Sequence, residues 1–512
     1  MSGVPDVIGV IGAGTMGAGI AQLACLAGAR TLLHDADARA LALATERIPA
    51  ALERGAEKGR WSAEDAASAR QRLEPVDDLD PLARCGLIIE AAPERLELKR
   101  DLFARLSEIA PEAVLASNTS SIPITAIAPA AADPSRVVGM HFFNPAPLMR
   151  LVEVIAGLES SEEALAVARA TGEAMGRRVI DAADGPGFIV NRCNRPFGLE
   201  GLKLLGERAA DVATIDRICR LGGGFRMGPF ELSDLVGVDV GFEVSKSFHE
   251  LSFGEPRWRP SPLAARQVAA GRLGRKSGRG WYEYGDGPHR PEDPEPPEAG
   301  GGNGRLVVVA GDLPIAEELR GLAAGAGWAA VDPIAADGEV PWLVVDCGAE
   351  PEDPPLQGGP LAILCADGSL HTLDPGGGAV GFHALPPLDA GTLVELTRSA
   401  TTTPVAAQRA EEFFNSLGRH VAWVGDAPGL VLGRIVCQLV NEACFAVGEG
   451  VGSTDDVDDG MVLGLNHPRG PFAWLEAIGV PHVLAVLDAL RIELGEERYR
   501  AAPLLRRLAA AQ

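Results

Sequence analysis

Short apolar runs alternate with amphipathic stretches over the first third of the chain. Residues 7–11, 31–33, 87–90, 114–116 and 136–140 are apolar runs too short to be helices. Continuous runs of this kind are the pattern of strands buried on both faces of a parallel sheet. The stretches between them carry apolar residues at helical spacing, so residues 1–184 are predicted to form a doubly wound α/β domain. From 185 to 284 the short runs vanish and helical spacing takes over, most clearly across 189–205 and 212–220, which predicts an all-α domain. Residues 285–304 are dense in proline, glutamate and glycine and have no apolar periodicity, the composition of a linker. Beyond the linker the order starts again. Runs at 306–310, 342–346 and 361–365 read as strands of a second α/β domain over 305–425, and helical spacing from 429 onward predicts a second all-α domain over 426–512.

The repetition is visible in the residues themselves. VGMH at 138–141 matches VGFH at 380–383, DGPGF at 184–188 matches DAPGL at 426–430, and MGPF at 227–230 matches RGPF at 469–472. The paired segments lie about 242 residues apart, which marks a duplicated two-domain unit.

Composition narrows the function classes. The chain has 512 residues, 46% hydrophobic and 23% charged, as in ordinary globular proteins. Its net charge of −24 argues against nucleic acid as a partner, and no basic cluster offsets it. The eight cysteines form no Cys-x-x-Cys pair, so neither a metal site nor a redox dithiol is expected. There is no signal-peptide pattern, no apolar run of membrane-spanning length and no peroxisomal ending, so the expected location is cytoplasmic, away from membranes.

The first apolar run leads into Gly12, Gly14 and Gly17 at the opening of a predicted helix. Such a turn lets the backbone approach a pyrophosphate, and the helix start offers it free amides. Thr15 and Met16 belong to the same cradle. Asp35 closes the second strand, where a carboxylate accepts hydrogen bonds from ribose hydroxyls and repels a 2′-phosphate. Together these predict a Rossmann-type dinucleotide-binding domain with NAD as cofactor.

Four further residues suggest the chemistry. Ser120 lies in SNTSS just after a strand, His141 ends another strand in HFFNP, Glu153 interrupts the apolar run LVEVI, and Asn191 lies in PGFIVNR. A carboxylate inside an apolar run is costly unless partnered. A His–Glu pair supplies a tuned base.

At these positions the chain resembles the L-3-hydroxyacyl-CoA dehydrogenase family, over roughly residues 5–285, including KSGRGWY at 276–282, which is similar to the family's closing motif. The resemblance implies that His141 is the general base, that Glu153 orients it, and that Ser120 and Asn191 hold the substrate. It also implies that Glu94, Lys99, Asn144 and Lys276 line the cofactor site and that Lys58 contacts CoA, while Ala51 stands where the family has a CoA-contacting serine. The implied substrate is an acyl-CoA thioester, and the implied settings are fatty-acid β-oxidation and phenylacetate catabolism. Longer bacterial members, to which this chain is similar, carry a degenerate second unit and act on 3-hydroxyadipyl-CoA or 3-hydroxybutyryl-CoA.

In the second unit His383 and Glu395 keep the spacing of His141 and Glu153, but Gly433 replaces the asparagine, Gly368 falls at the serine, and no triple-glycine turn follows residues 306–310. A degenerate Rossmann-like domain without a dinucleotide is expected there. The second helical domain is expected to pack on the first and mimic the family's dimer, giving a monomer with an intrachain pseudo-dimer, or else a homo-oligomer. Two other readings compete: a dehydrogenase of a small free hydroxy acid, and a non-catalytic, crystallin-like binding protein. A multifunctional β-oxidation protein is disfavoured because no hydratase-like region precedes the glycine turn.

Overall fold

The computed structural model describes residues 3–336, 339–348 and 358–511. Contacts divide the chain into two compact units, Met1–Arg192 with Glu449–Leu465, and Cys193–Gly448 with Asn466–Gln512.

The first unit is built on eight strands: β1 (Val7–Ile11), β2 (Arg30–His34), β3 (Leu73–Pro75), β4 (Leu87–Glu90), β5 (Val114–Ser117), β6 (Val137–Phe142), β7 (Leu151–Ala156) and β8 (Arg178–Ala183). Their order is β3-β2-β1-β4-β5-β6-β7-β8. The five apolar runs become β1, β2, β4, β5 and β6, all parallel and buried as continuous runs require. The strand pattern does not announce β7, because Glu153 interrupts its run. It is also the strand that turns back, pairing antiparallel to β6 with His141 opposite Glu153.

Two details of this unit position the site. Helices Ala38–Glu57 and Ala63–Arg72 form a hairpin closed by a Ser62–Asp65 capping box. Trp61 wedges into it: its indole N–H donates to Leu52 O at 2.8 Å, and a Cβ on Gly55 would fall 1.8 Å from its ring. In addition, helix Thr454–Leu465, from the C-terminal part of the chain, lies against β7 and β8. A Cβ on Gly460 would come within 2.9 Å of Val190, and one on Gly464 within 2.9 Å of Leu151, so both glycines permit the close approach. Arg178 pairs with Asp459 at 2.6 Å, and Ala183 N donates to Val451 O at 2.8 Å.

The second unit carries β9 (Leu306–Ala310), β10 (Ala329–Val331), β11 (Leu343–Asp346), β12 (Leu361–Leu364), β13 (Val380–His383), β14 (Leu393–Arg398) and β15 (His420–Trp423), in the order β10-β9-β11-β12-β13-β14-β15. Again one strand reverses: β14 runs antiparallel to β13 with His383 opposite Glu395. Helix Val212–Gly223 packs on β14, and Gly425 N donates to Ala209 O at 2.7 Å. These contacts are the 242-residue counterparts of those made by Thr454–Leu465 and by Ala183 in the first unit. Each sheet is therefore covered by a helix from the opposite repeat.

The expected packing of one helical region on the other is present within the second unit, where Arg195–Glu207 lies along Leu432–Gly448. At its centre Arg434 is fully buried and bonds Glu200 at 2.5 Å, Glu207 at 2.6 Å and the Tyr499 hydroxyl at 2.7 Å. Removing one partner of such a buried pair typically costs about 3–5 kcal/mol. Among the described residues no single helix is long and apolar enough to cross a membrane, and no group of metal-ligating side chains is present.

Candidate active site

The glycine turn follows β1 as its sequence predicts. Gly12 has φ +96°, and a Cβ there would lie 2.5 Å from Ala91 O; one on Gly17 would lie 1.7 Å from Gly12 O. A Cβ on Gly14 would meet nothing within 4 Å. Two glycines thus serve close packing, and the third leaves open space beside the exposed start of helix Thr15–Leu26, where Thr15 and Met16 stand. This is the space a pyrophosphate needs, against amides that no helical carbonyl satisfies. Asp35 accepts from Ala13 N at 2.6 Å and from Asp37 N at 2.8 Å, so the carboxylate at the end of β2 is tied to the turn itself. The chain's own residues fit a dinucleotide.

Beside the turn lies a charged network that the sequence reading only partly found. Lys99 is 1% exposed, and its ammonium bonds Glu90 at 2.7 Å and Glu94 at 3.3 Å. Glu90 also accepts from the Ser117 hydroxyl at 2.6 Å and from Ala92 N at 2.7 Å. Glu94 accepts from Thr119, from Ser120 N at 3.0 Å and from Ser121. Burial pushes the Glu94 carboxyl up, but Lys99 and the hydroxyls of Thr119 and Ser121 outweigh it and hold the group below its ordinary value. Lys99 therefore acts on the site through Glu94, and Glu94 fixes the loop that carries Ser120. Glu90 and Ser117 were missed. Glu90 carried a signal akin to that of Glu153, a carboxylate adjoining an apolar run; Ser117 carried none.

His141 and Glu153 face one another across β6 and β7. The ring Nδ1 and Glu153 Oε2 are 2.6 Å apart, the histidine almost buried and the glutamate wholly so. Glu153 Oε1 accepts from Ile189 N and Val190 N, each at 3.0 Å. With one oxygen filled by amides, the other accepts the Nδ1 proton and so sets the tautomer. The two amides are aimed by the turn before them, where Phe188 adopts φ +52°, a conformation costly for a bulky residue. Phe143 and Phe188 flank the imidazole, with centroids at 4.6 and 5.9 Å. Asn191 follows the amides directly on helix Val190–Cys193. Asn118, also missed, accepts from Phe142 N at 2.8 Å and ties the end of β5 to that of β6.

Lys58 caps helix Ala38–Glu57 and lines an open groove of about 410 Å³ that runs from Gly14 and Thr15 to Trp61. Ala51 lies in the same groove, as do Arg47, Arg54 and Arg60, a basic cluster invisible as a linear run because its members are spaced around a hairpin. Asn144 is exposed just past β6. Lys276 lies in the second unit, paired with Asp239 at 2.6 Å.

The second repeat keeps the frame and loses the pair. Glu395 accepts from Val431 N at 2.8 Å and Leu432 N at 2.9 Å, and Leu430 has φ +45°, as at Phe188. The His383 ring instead bonds His482, Nε2 to Nε2 at 3.0 Å, and its Nδ1 meets no partner among the described residues. A Cβ on Gly433 would fall 2.1 Å from that ring, so the imidazole occupies the place of the missing asparagine side chain. Burial pushes Glu395 up to about 8 and His383 well below its usual value. After β9, Leu313 is buried where Gly14 leaves open space, and Pro314 starts the following helix.

Comparison with known proteins agrees with this geometry. Residues 7–185 match the 3-hydroxyacyl-CoA dehydrogenase NAD-binding domain, and residues 187–284 and 429–512 each fall under the C-terminal domain of the same family. The chain is 37% identical over 506 residues to 3-hydroxyadipyl-CoA dehydrogenase of Escherichia coli K12, covering 98% of this chain and 97% of that one. A crystal structure of 3-hydroxybutyryl-CoA dehydrogenase from the same organism superposes with a TM-score of 0.84 at 35% identity, over 99% of this chain and 98% of that one. The (S)-3-hydroxybutyryl-CoA dehydrogenase of Ralstonia eutropha is matched over its whole length but only 55% of this chain, with a TM-score of 0.54 at 37% identity. With an NAD-binding domain, both helical repeats and an end-to-end relative in place, the chain belongs to the 3-hydroxyacyl-CoA dehydrogenase family of NAD-dependent oxidoreductases.

Proposed function

We propose that the chain oxidises the hydroxyl of an L-3-hydroxyacyl-CoA to the ketone, with His141 as general base, Glu153 orienting it, and Ser120 and Asn191 holding the substrate. The observation that carries this reading is the 2.6 Å bond from His141 Nδ1 to a Glu153 carboxylate whose other oxygen two amides already fill. That arrangement leaves Nε2 as the nitrogen able to take a proton, and the carboxylate stabilises the imidazolium that forms. Gly12, Gly14, Thr15, Met16, Gly17 and Asp35 would hold NAD, with Glu94, Lys99 and Asn144 as nearby support. When bound, NAD supplies the acceptor for the hydride leaving the hydroxyl-bearing carbon.

The groove supports a CoA thioester over a free hydroxy acid. In a chain of net charge −24, Arg47, Arg54, Lys58 and Arg60 gather on one hairpin beside the glycine turn. Phosphate groups on a long handle suit such a cluster, and a small free acid has no use for it. An NADH-absorbance assay tests the reading: 3-hydroxyacyl-CoAs should be oxidised and the matching free acids should not. Equal turnover of the free acids would overturn it.

A further inference from the structure

Residues of the first unit close a ring of hydrogen bonds that runs through the loop carrying Ser120. Lys99 Nζ donates to Glu90 Oε1 at 2.7 Å. Glu90 Oε2 accepts from the Ser117 hydroxyl at 2.6 Å, and that hydroxyl accepts from Thr119 N at 3.3 Å. The Thr119 hydroxyl donates to Glu94 Oε1 at 2.6 Å, and Glu94 Oε2 returns to Lys99 at 3.3 Å. Ser120 N donates to the same Glu94 Oε1 at 3.0 Å. Glu90, Lys99, Ser117 and Thr119 are all buried.

Glu90 also joins this ring to the glycine turn. Its Oε1 accepts from Ala92 N at 2.7 Å. Ala91, just before, donates its own N to Ile11 O at 2.7 Å and presents the carbonyl against which Gly12 packs. One carboxylate thus fixes the loop after β4 with one oxygen and the loop after β5 with the other.

The second sheet shows that the strands do not need the ring. Asp346 ends β11 opposite Ala310, as Glu90 ends β4 opposite Ile11. It still accepts from the amide two residues on, Gly348 N at 3.0 Å. Its cross-strand neighbour, however, is Ile363, which holds the register of Ser117: Ile363 lies opposite Gly381 and Ser117 opposite Gly139. Isoleucine has no hydroxyl to give, and no lysine follows Lys276 anywhere in the sequence. Burial pushes the Asp346 carboxyl up. Apart from the edge strand β3, the two sheets nonetheless share one strand order. A buried ion pair adds little net stability over apolar packing, so the use of the ring lies in what it holds in place.

We propose that Glu90, linked through Ser117, is a positioning residue for Ser120: it sets the Ser120 hydroxyl relative to the glycine turn, and so the substrate relative to the cofactor. Wholly buried, Glu90 itself reaches neither. This rests on the reading that Ser120 holds the substrate.

A double-mutant cycle on the full-length enzyme tests it, with 3-hydroxybutyryl-CoA as substrate. Glu90→Gln keeps the shape and removes the charge. It should lower kcat/KM by about 10- to 100-fold, the cost of a misplaced substrate contact, while NADH affinity stays within about threefold. In a Ser120→Ala background the same change should cost less than about threefold, because the group it positions is already gone. Ser117→Ala cuts only the link and should follow the same pattern at about 3- to 10-fold. It carries the test if Glu90→Gln does not fold. Equal losses in both backgrounds, or a loss of NADH affinity that matches the loss of turnover, would overturn the proposal, since Glu90 would then serve the fold or the cofactor alone. A Ser120→Ala enzyme with wild-type kcat/KM would overturn the reading of Ser120 itself, and the role of Glu90 with it.

Discussion

Two histidine–glutamate registers lie in this molecule, His141 opposite Glu153 and His383 opposite Glu395. Both sit where a strand reverses in an otherwise parallel sheet, and both glutamates accept two amides from a turn with a strained residue at its head. The backbone that builds the pair has survived duplication intact. The pair itself has not, because the two imidazoles take different partners. Where Asn191 stands, His141 turns to its glutamate; where Gly433 stands, His383 fills the space a side chain would need and bonds His482 instead. The shared spacing of two residues therefore says little about catalysis until the partner each imidazole takes is known.

The comparison is broken most sharply by alanine at each histidine. General-base action is worth about 10²–10⁴-fold, so His141→Ala should lose at least that much of kcat while NADH binding, read by fluorescence titration, stays intact. His383→Ala should leave kcat within about twofold and lower the melting temperature instead, since it opens a cavity beside His482. Comparable loss of turnover in both variants would give the second repeat a catalytic part that its geometry denies.

A second contrast concerns the carboxylates near the first strand of each sheet. Asp35 accepts from the glycine turn, whereas Asp332, after β10, accepts among the described residues from Ile334 N and Ala335 N of its own loop. Charged hydrogen bonds are worth about 1.5–3 kcal/mol, so Asp35→Ala should raise the KM for NAD by about 10- to 100-fold and narrow the preference over NADP. Asp332→Ala should leave both unchanged. An Asp35→Ala enzyme with wild-type NAD kinetics would remove the carboxylate from the cofactor site.

Most of this contrast was legible in the chain. The five apolar runs that became β1, β2, β4, β5 and β6 announced the first sheet because a strand buried on both faces leaves an unbroken signature. The reversed strands stayed hidden because Glu153 and Glu395 interrupt the pattern by which strands are recognised, and the first of them carries the glutamate that pairs with His141. The glycine turn, Asp35 and the His141–Glu153 pair could be read from spacing. The Glu90–Lys99–Glu94 network, the basic groove and the helix exchanged between sheets could not, because each joins segments that only folding brings together.

Protonation separates the registers further. Buried without a cation, Glu395 is pushed up to about 8 from an ordinary 4.5. The folded state then holds this proton more tightly than the unfolded chain does. The resulting stability is complete below about pH 4.5 and is lost as pH rises through about 8. Melting temperature should fall over that window in the wild type and fall less in Glu395→Gln, by a few degrees at the alkaline end. The buried histidines work in the opposite direction, since His482 is pushed down to about 4, but they are common to both proteins and cancel in the difference. Parallel pH profiles would mean that Glu395 is ionised in the folded state.

The smallest expected effect tests what the first sheet has and the second lacks, the hairpin of Ala38–Glu57 and Ala63–Arg72 with its basic groove. Lys58 is exposed, so water and salt screen whatever it binds, and exposed ion pairs are worth about 0.2–1 kcal/mol. Lys58→Ala and Arg54→Ala should each raise the KM for an acyl-CoA by about two- to fivefold at low salt, with kcat held. The difference should shrink as ionic strength rises. An acyl-pantetheine substrate, which lacks the nucleotide phosphates, should be handled alike by wild type and variants, because the contact being removed is then absent from both. If the variants lost as much on the pantetheine thioester as on the CoA thioester, the cluster would be supporting the hairpin and not the handle of the substrate.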